Sequence, residues 1–348
     1  MSNVSAGTFT CSNLQTIIKK AEDVYNPANP NPDYVADAAP LQFIRSIQTA
    51  KFSDLQMPDK DHTVKLVYTD KCDVTVSSNF DETGTCSIDG VEAGQQCETF
   101  ALDVHKQSPG WKITQLKYRD LGPTSSLSTE MAVNLAAEIK AMDQILANTT
   151  VSKLDAWKGT NLYTAAPGSV SGTTTTIPAT AWNPNLFAYL TVARMKNKLP
   201  SAKLFLGGLM DQALVLAELE SATEQGAANV RKVKALGQVF SDMFTTETVL
   251  GHKAAYLVNP DSVAFVSQNR HGNYGAGKER FVDGGGKQIL TTVESNAYSG
   301  VFYDLITQES CVAGDDIRTG KLFFHGGWFL SPVRCNTSRT GVLKFRCS

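Results

Sequence analysis

The chain has 348 residues, of which 42% are hydrophobic and 19% charged. That is longer than one ordinary hydrophobic core can organise, and far from the composition of disordered chains. Its 32 basic and 34 acidic side chains leave a formal net charge of −2, which argues against tight, charge-driven wrapping of nucleic acid, because counterion release needs a concentrated basic surface, but does not exclude a surface that merely lies near DNA.

The N-terminal stretch MSNVSAGTFTCSNLQTIIKKAED lacks a basic flank followed by an apolar core, so no signal peptide is expected. No uninterrupted apolar run approaches the ~18–20 residues that cross a bilayer, so the expectation is a soluble protein made in a cytoplasm. The cysteines number 7, an odd count without a CxxC spacing, and reduced, partly buried thiols account for them. Cys72, Cys86 and Cys97 fall in a strand-rich stretch, while Cys335 and Cys347 lie close to the end. Asn3, Asn148 and Asn336 each open an N-x-[ST] triplet; in a protein that is not secreted these are chance matches.

Ser12–Asp23 predicts a short helix, with Leu14, Ile17 and Ile18 on one face and Lys19 and Lys20 on the other. The sequence NPANPNPDY follows, where closely spaced prolines remove backbone donors and deny a regular element. Helix and proline stretch together predict an N-terminal arm or a linker. From Thr63 to Tyr118 the pattern is β-like: TVKLVYT, CDVTVSS, TCSIDGV, ETFALDV and WKITQLKY, separated by Asn, Asp, Gly and Pro. This predicts a meander or long hairpin with exposed tips.

After Gly122-Pro123 the period becomes helical. Leu127, Met131, Leu135, Ile139, Met142 and Leu146 form one apolar stripe, with Ser126 or Ser128 as cap and Glu130 at the positive end of the dipole. A helix over Ser126–Asn148 of about twenty residues would span ~30 Å. The threonine-rich SGTTTTIPAT predicts a loop or exposed strand. Asn183-Pro184 then opens a second helix whose inner face is Leu186, Phe187, Leu190 and Ala193. Beyond Pro200 come a strand KLFL, Gly207-Gly208 and a helix LMDQALVLAELESA. QVFSDMFTT, AAYLVNPDSVAFVSQ, KQILTTVES and VFYDLITQ read as strands of an α+β domain. KLFFHGGWFLSPVRC and GVLKF read as a closing strand pair broken at Gly326-Gly327, with Trp328 and Phe329 in the core.

This order of arm, β excursion, long solitary helix, α+β domain and closing strands resembles the tailed-bacteriophage major capsid protein family, the Hong Kong 97-type fold. The most suggestive local texture is VFSDMFTTETVLGHKAAYLVNPDSVAFVSQNR, with Gly251, Lys253 and Ala255 at the places of a recurring G-x-K-x-A pattern. The resemblance implies an α+β chain divided into an N-terminal arm (1–60), an extended β-hairpin or loop region (61–122), a spine helix and peripheral domain (123–182), an axial α+β domain (183–310) and closing strands of the peripheral domain (311–348). It implies a non-enzymatic virion protein that self-assembles into pentamers and hexamers of an icosahedral phage head enclosing the DNA genome. Implied partners are copies of itself, with scaffold, portal and decoration proteins beside them and weak, non-specific contact with packaged DNA, but no membrane. Assembly would take place in the host cytoplasm. The alternatives are a nanocompartment shell of the same fold and an α+β ligand-binding protein or enzyme without a recognisable motif.

The residues themselves supply no catalytic, cofactor-binding or metal-binding set. Gly272–Lys278 satisfies G-x-x-x-x-G-K, yet Glu279 stands where a phosphate loop needs a hydroxyl for magnesium, and RFVDGGGK lacks helical periodicity. His62, His105, His252, His271 and His325 sit in no metal-ligand spacing. Cys311 or Cys335 with His325 is a conceivable thiol–imidazole pair, though local structural roles explain them better. Asp315-Asp316 and Asp81-Glu82 read as solvated turn charges. Arg231, Lys232 and Lys234, with Lys196 and Lys198, read as a solvated helix face that could touch nucleic acid or an acidic loop.

Overall fold

The structure, a computed structural model, describes residues 11–25, 35–48, 63–69, 95–101, 103–106, 111–114, 127–182, 185–199, 201–208, 230–233, 237–268, 279–282, 286–312, 315–331 and 339–348. Helix α1 (Cys11–Tyr25) turns Ile17 and Ala21 against the long helix α3 (Leu127–Ala156). Helix α2 (Ala39–Ile47) carries Pro40 in its first turn, where a missing N–H costs no helical bond. It buries Leu41, Phe43, Ile44 and Ile47 completely or nearly so. The stretch expected to be an arm therefore divides. Its α2 part belongs to the core of its own chain, with Phe43 stacked on Phe205 (ring centroids 5.2 Å apart) and edge-on to Phe240 (5.6 Å).

Helix α3 has 30 residues and spans ~45 Å, eight residues beyond the end that the sequence predicts. The apolar stripe of Met131, Leu135, Ile139, Met142 and Leu146 is buried as its spacing requires, and Thr150, Val151 and Leu154 continue it. Threonine and valine have weak helix propensity, which makes a stop at Asn148 look natural. Here the Thr149 and Thr150 hydroxyls donate back to the carbonyls of Ile145 (2.8 Å) and Leu146 (2.7 Å), and packing carries the helix on to Ala156.

Strands β1 (Thr63–Thr69) and β2 (Gln95–Ala101) pair antiparallel, from Thr63 opposite Ala101 to Thr69 opposite Gln95, as a separate two-stranded sheet. The strands expected at CDVTVSS and TCSIDGV lie outside the described residues. β3 (Asp103–Lys106) and β4 (Trp111–Thr114) leave the excursion and join a larger sheet.

One mixed sheet has the order β5 (Ser169–Ser171), β6 (Thr174–Ile177), β16 (Val342–Cys347), β10 (Ala254–Val258), β7 (Lys203–Gly207), β9 (Gly237–Ser241), β8 (Val230–Val233). The β6–β16 and β7–β9 pairs are parallel. Central β10 is buried throughout, and its alternation serves two cores. Ala254, Tyr256 and Val258 face the core built by α1, α2, α3 and the other large sheet. Ala255 and Leu257 face a second core with Leu204, Leu206, Leu343 and Phe345. Helix α4 (Asn185–Lys196) closes that second core with Leu186, Phe187, Leu190 and Ala193, the face its sequence predicts, joined by Tyr189. Asn183-Pro184 and the helix expected at LMDQALVLAELESA lie outside the described residues.

The other large sheet runs β11 (Val263–Gln268), β15 (Asp315–Leu330), β14 (Phe302–Val312), β13 (Gly286–Glu294), β12 (Glu279–Val282), with β3 and β4 also on β15. At Phe323 the partners are Asp304 and Lys106; at His325 they are Gln268 and Val104. β14 and β11 thus follow one another along one edge of β15, and β4 and β3 along the other.

Two expectations change here. KLFFHGGWFL is one unbroken strand within β15, not a pair broken at the glycines. Gly326 bonds into ladders on both sides, opposite Ser267 and Asp103, and a Cβ at Gly326 would lie 2.2 Å from Phe324 Cζ. The glycine makes room for that ring rather than ending the strand. The strand expected over QVFSDMFTT ends at Ser241, and Thr245–Leu250 forms a short helix, α5, which Gly251 stops with a left-handed φ of 69°.

Candidate functional site

The candidates for chemistry scatter. The G-x-x-x-x-G-K stretch 272–278 lies outside the described residues, and Glu279 begins strand β12 opposite Ile289, so no helix N-terminus follows it to face an anion. His325 is buried beside Asp304, Nε2 to Oδ2 at 3.6 Å. Cys311 stands on β14 opposite Asp316, seven positions from Asp304, which is ~23 Å along a strand; Cys335 is outside the described residues. No thiol–imidazole pair forms between Cys311 and His325. Asp315 and Asp316 open β15 opposite Val312 and Cys311 instead of occupying a turn.

His105 lies in β3 opposite Phe324, and His252 follows α5. Burial, with Lys344 and Arg346 nearby, pulls the His252 imidazole below its ordinary pKa. Cys97 lies opposite Val67 and Cys347 ends β16. Among the described residues no group of three His, Cys, Asp or Glu side chains could hold a metal ion, and no helix is long and apolar enough to cross a membrane.

The basic cluster is not a helix face. Arg231 and Lys232 belong to β8, the last strand of its sheet among the described residues, opposite Val239 and Gln238. Lys196 ends α4, Lys198 follows it at a φ of 59°, and Lys234 lies outside the described residues.

What the fold does bring together is a set of acids around the middle of α3. Asp37, fully buried just before α2, accepts through Oδ2 from the backbone N–H groups of Met243 (3.0 Å), Phe244 (3.3 Å) and Thr245 (3.3 Å) and from the Thr245 hydroxyl (2.8 Å). One carboxylate oxygen thus anchors the entry to α5. Asp242 anchors the same entry from the other side. Its Oδ2 accepts from Thr246 N–H (2.7 Å) and the Thr246 hydroxyl (2.5 Å), while Oδ1 accepts from Gly208 N–H. Gln144 of α3 joins these pieces, accepting from Asp37 N–H (3.3 Å) and donating to the Thr245 hydroxyl (3.1 Å).

The neighbouring residue of α3, Asp143, accepts from the Ser295 hydroxyl (2.6 Å), Ala297 N–H (3.1 Å) and the Tyr303 hydroxyl. Burial pushes the Asp143 carboxyl up to about 6 against these hydrogen bonds. Burial, helped by the charge of Asp37, also takes Asp242 to about 6. Burial raises the Tyr298 and Tyr303 phenols as well, with the Asp143 charge adding to it.

A second polar centre ties the end of α3 to β16. Lys344 Nζ lies 2.5 Å from Asp155 Oδ1, Lys158 Nζ lies 3.1 Å from Oδ2, and Tyr256 OH donates to Oδ1 at 3.3 Å. The sequence carries a signal for the first network: Asp143 stands four residues after Ile139, inside the apolar stripe, where a solvated acid has no place. Nothing in the sequence marks its partners, which come from residues 295–303.

No family model and no curated protein matches this sequence. Solved structures do resemble it along most of its length. The Cyanophage A-1(L) capsid asymmetric unit shares 12% identity over 92% of this chain and 96% of its own, with a TM-score of 0.44. The Cyanophage Pam1 capsid asymmetric unit shares 11% over 85% and 87%, at 0.46. The capsid of Ralstonia phage GP4 shares 10% over 83% and 84%, at 0.45.

Proposed function

We propose that this chain is a structural subunit of a phage head, a non-enzymatic protein that assembles with copies of itself around DNA. The observation that carries the proposal is the β1–β2 ribbon. Seven residue pairs form a sheet that shares no strand with the two large sheets. A two-stranded ribbon is marginal in water unless something packs on it, and copies of the same subunit supply that partner in a closed shell. The order of elements resembles the Hong Kong 97-type chain: terminal helix, β ribbon, 30-residue helix, and two sheets around it. In this reading α3 is the spine. Residues 183–310, with α4 and the strands from β7 to β14, form the axial part, and the closing strands β15 and β16 return to the peripheral part. Pentamers and hexamers are the assembly units, with scaffold, portal and decoration proteins as further partners.

The test is assembly. The chain is expressed alone and with a scaffold, then examined by size-exclusion chromatography and negative-stain microscopy. Capsomers, sheets or shells are expected. A monomer that stays inert at high concentration in both settings overturns the proposal.

A further inference from the structure

We propose that copies of this chain associate head to tail, the outer face of α4 in one copy seating on the Ile145, Met243 and Phe244 surface of the next. The contact rests on the assembly proposed above and gives it a named surface. Seven large apolar side chains are exposed among the described residues, and all but Phe302 fall in two groups: Leu162, Val192 and Met195 in one, Ile145, Met243 and Phe244 in the other. Singly scattered apolar side chains are ordinary on a surface, whereas grouped ones mark contacts.

The first group follows α4. Behind the face that closes the second core, Ala188, Val192 and Met195 succeed one another at intervals of four and three residues, all exposed, Met195 at 61%. Leu162 is fastened at the end of this row, where its N–H donates to Asn197 Oδ1 (2.9 Å) just beyond the helix. A helix that is apolar on both faces calls for a partner on each. The second group stands at the entry to α5. Asp37 holds the N–H groups of Met243 and Phe244, so the backbone that presents these two side chains to solvent is fixed. The Thr245 hydroxyl accepts from Gln144 of α3, and the next residue of α3 is the exposed Ile145.

The two groups lie on opposite sides of the sheet containing β10. Helix α4 packs on the side of Ala255 and Leu257, while α2, α3 and α5 pack on the side of Ala254, Tyr256 and Val258. Charge selects the pairing between them. Arg194, Lys196 and Lys198 flank the α4 row, and among the described residues no carboxylate pairs with them. Glu247, exposed and three residues after Phe244, pairs with no described cation. Two α4 rows placed together would oppose cation to cation, whereas the Phe244 surface offers apolar side chains edged by an acid. The matching surfaces are therefore different patches on opposite sides of the subunit. Repetition of such a heterologous contact closes into a ring where the rotation allows, as pentamers and hexamers require.

The experiment uses the full chain, assembled and unassembled, and reads methionine oxidation by peroxide with mass spectrometry. Met195 and Met243 are exposed in the single chain, one in each surface, whereas Met131 and Met142 are buried in it. Assembly is expected to abolish oxidation of Met195 and Met243 together, down to the level of the buried pair. Oxidation of either one at the free-chain rate in assembled material overturns the contact while leaving assembly itself standing. Protection seen only while a scaffold is bound assigns the surfaces to the scaffold and overturns it too. A second arm uses charge. Lys196→Glu and Glu247→Lys each oppose like charges across the contact, and each is expected to lose assembly, which the double variant should regain. Both positions are exposed, and unchanged denaturation midpoints show that the fold is kept. Single variants that assemble like the parent, or a double variant no better than either, overturn the contact. A parent chain that forms no assembly, alone or with a scaffold, removes the proposed function and this contact with it.

Discussion

Trp328 of β15 donates its indole N–H to the Thr150 hydroxyl of α3, 2.9 Å away, and that hydroxyl donates in turn to the Leu146 carbonyl. Both side chains are buried. The longest helix and the longest strand are thus joined by a bond that neither element needs for its own backbone ladder. Replacing Thr150 with Val keeps the shape and removes the hydroxyl that accepts from the indole N–H. The expected cost is about 1–3 kcal/mol, read from chemical denaturation. A double-mutant cycle with Trp328→Phe should recover part of it, since the second change removes the donor itself. Additive losses would mean that the two groups do not interact.

Gly326 allows a prediction of opposite character, because the absence of a side chain matters there. Gly326→Ala places a methyl group within 2.2 Å of Phe324 Cζ and 2.5 Å of Cε1. The ring is fully buried between Phe265 and Tyr303, at centroid distances of 6.0 and 5.9 Å, so it has little room to retreat. Overpacking of this kind costs about 1–3 kcal/mol. Phe324→Leu opens the space that the methyl needs. The double variant should therefore be less destabilised than the sum of the single changes, measured by the same denaturation curves.

These two residues show what the sequence could and could not say. The period-3.6 pattern identified the buried faces of α3 and α4, because burial of a stripe is a local property of spacing. Gly326-Gly327 looked like a break because a glycine pair usually is one, and only the position of a ring two residues away shows otherwise. The end of α3 was missed for a related reason. Thr149, Thr150 and Val151 have weak local preference for helix, and contacts with β15 and β16 override it. Asp143 within the stripe was legible as an anomaly. Its partners at 295–303 lie some 150 residues along the chain, so no spacing rule could find them.

The Asp155–Lys344 pair predicts a loss of stability on the acid side. Burial by itself would raise the Asp155 carboxyl, but the Lys344 and Lys158 ammonium groups outweigh it and hold the carboxyl below its ordinary 3.8. Lys344 is also shifted down, since burial of the ammonium outweighs the attraction of Asp155. The two directions agree once desolvation is counted for each partner separately, and the 2.5 Å contact is what both share. A depressed carboxyl contributes stability above 3.8 that disappears as pH falls through its lower folded value. Asp155→Asn should abolish this acid-side loss. It should also be the more damaging change at neutral pH, because it strands an ammonium whose side chain is 5% exposed. Lys344→Met leaves Asp155 with Lys158 and access to water, so its cost should be smaller. Denaturation midpoints of both variants at pH 3 and pH 7 distinguish these outcomes.

The N-terminal region predicts where the chain can be shortened. Deleting residues 1–34 removes α1, and with it the burial of Ile17 and Ala21 against α3, a loss of about 2–4 kcal/mol if the remainder holds its shape. Deleting residues 1–40 also removes Asp37, Ala39 and Pro40, all buried. Met243, Phe244 and Thr245 then lose the acceptor of their N–H groups, and the start of α2 is gone. The shorter deletion should unfold in one cooperative transition at a lower midpoint, whereas the longer one should show no cooperative transition. Asp37→Ala in the full chain separates the two contributions. It keeps α1 and α2 but strands three backbone donors and a hydroxyl, at an expected cost of at least about 2 kcal/mol. If Asp37→Ala were neutral, the failure of the longer deletion would belong to α2 packing alone.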